Sequence, residues 1–225
     1  MRELRSLVPV LMLSTTLATA SASDLSRYRN FRFGAGLAST AAQAGTSPAQ
    51  AKDVHRRPSL IQEMEWRPHS LGATSKIESV QGVLFTFYDD ALFRVVVKYD
   101  RTETEGMTTD DLVQAISADY GAAERLTAPV KQGPAEYGDQ KEVVARWQDA
   151  EYRFELIRSA YGPTFSLIGV LKRLEEPARA AVIEAQRLED QEAPAREAAR
   201  LVGVQQEERA KLDKARVVNK EKFRP

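Results

Sequence analysis

Between Val83 and Tyr99 the chain alternates apolar and polar residues in two runs that meet at a pair of aspartates. Val83, Phe85 and Phe87 lead into Asp89-Asp90, and Phe93, Val95, Val97 and Tyr99 lead away. A period of two matches the pleat of a β-strand, and a short turn between two such runs predicts an antiparallel hairpin. Thr86, Tyr88, Arg94 and Lys98 fall on its other face, so one side is polar. The apolar side needs a cover, which argues against an all-helical bundle and for a layered α+β fold.

Other segments repeat this logic. Val143, Ala145 and Trp147 lead to a turn at Asp149 to Glu151, and Tyr152, Phe154 and Leu156 return. Phe165, Leu167 and Leu171 mark a further strand, and Leu60, Met64 and Trp66 an earlier one. Helices are predicted ahead of both strand groups. Thr108 and Asp111 have the spacing of a capping box, Leu112, Ile116 and Tyr120 follow at four-residue intervals, and Gly121 supplies the stop. A counterpart runs from Gly36-Leu37-Ala38 to Gly45, with Ala38 where Thr108 stands, so its cap is missing. The segment Gly121 to Glu142, with Pro129, Gly133, Pro134 and Gly138, reads as a long loop, either functional or disordered.

The order helix, strand, hairpin, helix, hairpin, strand predicts a degenerate duplication. Residues 23–105 form a first unit of one helix and about three antiparallel strands, 106–176 form a second, and the aromatic faces make two sheets. Past Leu174 the aromatics vanish until Phe223, and Ala, Glu, Arg, Lys and Gln predict a charged helical tail over 177–225, interrupted by Pro194 and Gly203. Its stripe of Leu174, Ala178, Ala181, Ala185 and Leu188 is mostly alanine and buries little area. Deleting 178–225 is expected to leave the body folded.

A Gly-Leu or Gly-Met pair opening a short helix that ends in Gly, followed by antiparallel strands carrying Trp66 or Trp147, resembles the β-lactamase-inhibitor-like fold, which includes the small SmpA/OmlA outer-membrane assembly lipoproteins. The resemblance covers residues 31–174 and implies a binding or scaffolding protein of the bacterial envelope. The chain departs from it in having a long tail and no cysteine to carry a lipid.

The first residues say where the chain goes. Arg2 and Arg5 precede an apolar run from Leu7 to Leu17, then Ala20, Ser21 and Ala22, the build of a secretory signal peptide cleaved after Ala22. The run is too short to span a bilayer, which takes roughly 20 apolar residues. The expected destination is the periplasm, with release outside the cell as the alternative. The 32 basic and 32 acidic residues leave no overall field to attract nucleic acid. Without cysteine there are no disulfides, thiol nucleophiles or thiolate metal sites.

The common catalytic devices lack parts. Gly34-Ala35-Gly36 reads as a tight entry to a helix rather than a phosphate cradle, because no parallel crossover follows. His55 and His69 lie beside prolines without helical ligand spacing. Asp89-Asp90 and Asp110-Asp111 have local roles at a turn and in a first helical turn. No catalytic residue, metal site or cofactor is assigned. The leading reading is an exported, non-catalytic envelope protein that binds another macromolecule; the rival is a periplasmic hydrolase using a carboxylate pair or one histidine in an inter-sheet cleft. Contact candidates are Tyr88 and Arg94 on the polar hairpin face, Lys131 and Tyr137 in the long loop, and Arg216, Lys220, Lys222 and Arg224 at the cationic tip. The partner is an envelope protein or an anionic envelope surface.

Overall fold

The computed structural model describes residues 24–68, 79–131, 141–159, 164–222 and 224, without the side chains of 127–131 and 141. The predicted signal segment, His69 and Tyr137 lie outside the described residues. A small hairpin, β1 (Arg27–Tyr28) and β2 (Phe31–Arg32), leads into α1 (Leu37–Gln43). Four strands follow: β3 (Lys52–His55), β4 (Ile61–Trp66), β5 (Val80–Tyr88) and β6 (Ala91–Tyr99). The pattern then repeats with α2 (Thr109–Tyr120), β7 (Glu124–Lys131), β8 (Lys141–Gln148), β9 (Tyr152–Ser159) and β10 (Phe165–Leu171). The last element is α3 (Lys172–Lys222).

The fold is α+β and built of two helix-plus-antiparallel-sheet units, but each unit has four strands rather than three. β3 escapes a reading by alternation because it is a largely polar edge strand. β7 corrects the expectation of a loop after Gly121. It contains Pro129 and its register to β8 shifts between Arg125 and Val130, so no regular alternation survives. Nor are there two large sheets. The order β3-β4-β5-β6-β10-β9-β8-β7 is one eight-stranded antiparallel sheet, with the units joined through their last strands, β6 and β10. It reads alike from either edge, as a duplication related by an approximate two-fold would.

One face of the sheet is the main core. Met64, Phe85, Val95, Leu167, Phe154 and Trp147 come from six strands of both units and are essentially inaccessible. Burial of each such side chain contributes roughly 1.5–3 kcal/mol. Covering this face are Leu37 and Ala41 of α1, Leu112, Val113, Ile116 and Tyr120 of α2, and Phe31 and Phe33 of the β2 segment. Tyr120 stacks on Phe154 at 4.4 Å, and Phe33 lies 5.8 Å from the same ring.

The turns explain the acidic pairs. Asp89 and Asp90 both have left-handed backbone, φ 46° and 66°, as a two-residue hairpin turn of the primed kind requires, and aspartate tolerates that region. Asp89 Oδ1 accepts from Leu60 N at 2.9 Å. Asp90 Oδ1 accepts from Leu37 N at 2.8 Å and caps α1. The capping box of α2 forms as expected, with Asp111 N donating to Thr108 Oγ1 at 3.2 Å and Thr108 N to Asp111 Oδ2 at 2.8 Å.

Candidate interaction surface

α3 begins where β10 ends and is pinned there. Lys172 N donates to the Glu151 carbonyl at 2.9 Å, and its Nζ donates to the Asp149 carbonyl at 2.6 Å, both at the β8–β9 turn. Glu175 accepts from Arg153 of β9. Behind that contact the buried Glu155 lies 2.8 Å from Arg146 and 3.6 Å from Arg153, so strands and helix share one charge network.

The three-four spacing of Ala178, Ala181 and Ala185 sets them on one face of α3, and all three are buried, Ala178 within the main core cluster. Alanine adds little area but lets the helix axis approach the strands. Farther along, Glu189 Oε1 meets His55 Nδ1 at 3.1 Å and Glu192 meets Arg57 at 3.0 Å, fixing the helix to edge strand β3 and the loop after it. The inner tail thus packs against the body that was expected to fold without residues 178–225.

Pro177 and Pro194 both lie inside α3, which continues through them and through Gly203. A helical proline removes one N–H and crowds the preceding carbonyls. Near Pro194, Arg196 donates its guanidinium to the Glu189 carbonyl at 2.9 Å.

From Glu197 to Lys222 almost every residue is exposed. This arm is about 39 Å long at 1.5 Å per residue. Leu201, Val202, Val204, Leu212, Val217 and Val218 stand in solvent on it, Leu212 at 70% exposure. At 100° per residue, Leu201, Val204, Leu212, Ala215 and Val218 fall within about a third of the circumference. Arg209, Arg216 and Lys220 line one flank of that stripe, Lys214 lies on the other, and Glu208, Lys211 and Lys222 fall within it. Pairs such as Arg200 with Glu197 at 2.7 Å support the helix, and Arg200 holds the Glu197 carboxyl below its ordinary range.

The predicted contact residues separate into groups. Tyr88 is partly buried, and its hydroxyl accepts from Ser59 Oγ at 3.2 Å. Arg94 is exposed on the face that α3 crosses, within electrostatic range of Glu63 and Glu175. The backbone of Lys131 ends β7 opposite Glu142, while its side chain lies outside the described residues. Arg216, Lys220 and Lys222 are together on the arm, with Arg224 just past its end. His55 is engaged with Glu189, and no group of three His, Asp or Glu among the described residues could hold a metal ion. The N–H of Leu37, which a phosphate cradle at Gly34-Ala35-Gly36 would use, is taken by Asp90. Reasoning from sequence missed the exposed apolar stripe of the arm, whose signal was the β-branched residues of 201–218 in an otherwise polar helix. No described helix is long and apolar enough to cross a membrane. Compared with known protein families, characterised proteins and solved structures, the chain matches none.

Proposed function

We propose that this chain is an exported, non-catalytic protein of the bacterial envelope that binds or scaffolds another macromolecule, with the arm of α3 as its docking element. The observation that carries this reading is the exposed stripe of Leu201, Val204, Leu212 and Val218, flanked by basic residues, on a helix that projects past everything it packs against. Valine is a poor choice for a solvated helix, so these residues serve something other than helix formation. An apolar stripe bordered by Arg209, Arg216 and Lys220 matches a helix or groove with an acidic border. Glu208, Lys211 and Lys222 interrupt the stripe and the arm has no aromatic residue before Phe223, which favours a protein partner over a lipid surface.

Supporting the non-catalytic part, the carboxylate pairs serve structure: Asp89 and Asp90 hold backbone N–H groups, Asp111 closes a capping box and Asp110 pairs with Arg125. Export rests on the pattern of residues 1–22. The test is a photo-crosslinking residue at Leu212 in the full chain in intact cells, with exposed Gln43 of the body as control. A discrete adduct specific to Leu212 is expected. Equal labelling from both sites, or none from Leu212, removes the arm from the function.

A further inference from the structure

A cavity of about 580 Å³ opens where the β1–β2 hairpin, α2 and the adjoining ends of β5 and β6 meet. Its size is that of a small-molecule site. Leu112 and Ile116 of α2 and Leu167 of β10 give apolar wall, and Tyr28, Tyr99 and Tyr120 bring three phenols to it. Tyr120 donates only a long bond, 3.4 Å, to the Arg27 carbonyl. No hydrogen bond joins the Tyr99 hydroxyl to any described residue.

The charges around the mouth balance. Arg27 pairs with Asp24 at 3.0 Å, Arg29 lies over the rings of Tyr28 and Trp66 at 5.6 and 6.0 Å, and Asp119 is the remaining acid. Two cations and two anions give no net field for an ionised guest. Burial, reinforced by the neighbouring phenols, holds Tyr99 and Tyr120 well above the ordinary phenol range, so both stay protonated donors at physiological pH. A donor beside the apolar wall of a cavity otherwise lined by polar groups calls for an acceptor on the guest.

We propose that this cavity binds an uncharged apolar molecule carrying an acceptor oxygen, such as a carbonyl, ester or amide, with the Tyr99 hydroxyl donating to that oxygen. The site is separate from the arm, and its occupancy is independent of any macromolecular partner.

The test titrates the full chain with Nile red, an uncharged dye with a ring carbonyl, and with the sulfonate dye ANS as competitor. Saturable one-to-one Nile red binding that equimolar ANS does not displace is expected. Tyr99→Phe keeps the ring and removes the donor, and it is expected to weaken binding by roughly 2- to 12-fold, the effect of one hydrogen bond. Ala115→Trp, at an exposed position of α2 on the cavity wall, is expected to abolish binding without disturbing the core. Absence of saturable binding, affinity unchanged in either variant, or displacement by equimolar ANS would overturn the proposal.

Discussion

Asp90 Oδ1 lies 2.8 Å from Leu37 N, so the carboxylate that caps α1 comes from a hairpin turn 53 residues away. The helix has no side-chain cap of its own. Gly36 is fitted to this arrangement, since a Cβ there would stand 2.9 Å from Asp90 Oδ2. Asp90→Ala should cost about 0.5–2 kcal/mol in urea denaturation, the usual value of a cap, whereas Asp90→Asn should cost much less. Equal losses would show that the contact does not act as a cap.

The joint between the two units is tested at Gly169 of β10. A Cβ on it would lie 2.4 Å from Phe154 Cε1 and 2.9 Å from Phe33 Cζ, inside a packed aromatic cluster. Gly169→Ala should destabilise by about 1–3 kcal/mol, the cost of overpacking. Combined with Phe154→Leu, the loss should be smaller than the sum of the single losses, because the second change vacates the colliding atoms.

The duplicated tryptophans differ in one hydrogen bond. Trp147 Nε1 donates to the Gly121 carbonyl at 3.0 Å and reaches Ser117 Oγ at 3.2 Å, while Trp66 Nε1 is buried without a partner among the described residues. Trp147→Phe should therefore cost more than Trp66→Phe, by about 1–3 kcal/mol, since the first strands a helix-terminal carbonyl and the second removes an orphan donor. Paired denaturation curves measure the difference.

These cases show what a linear reading can and cannot reach. The Val83–Tyr99 hairpin, the Thr108–Asp111 box and the Trp147 hairpin were legible because their signals are local: alternation, a spacing of three, a short polar turn. The cap on α1 was illegible because Asp90 and Leu37 meet only after the fold forms. β3 and β7 were missed as edge strands that bury too little to impose alternation, and the β6–β10 seam is a pairing no turn announces. On the candidate surface, the basic tip could be seen in composition. The clamp by His55–Glu189 and Arg57–Glu192 could not.

Acid should weaken α2 in a defined way. Hydrogen bonds from the Thr108 side chain and then its backbone hold the Asp111 carboxyl below its ordinary value of 3.8. A group depressed in the folded state adds stability above its unfolded pKa, and that stability is lost as pH falls through the folded value. Stability of the wild-type chain should thus exceed that of Asp111→Asn near neutrality. The gap should close as pH falls below about 4. A constant gap down to the acid limit would exclude the ionised carboxylate as its source.

The tail divides at a definite point. Ala178, Ala181 and Ala185 are buried and Glu192 is paired with Arg57, whereas residues from Glu197 onward touch little. Deleting 178–225 should lower the melting temperature of the body. Deleting only 197–225 should leave it unchanged, because exposed residues typically contribute within about 0.5 kcal/mol each.

The docking account is tested most directly by chemical crosslinking in intact cells, comparing the full chain with the chain lacking 197–225 and recording the melting temperature of each purified protein. The account predicts equal melting temperatures and a partner adduct present only with the full chain. An adduct that persists undiminished without the arm would contradict it.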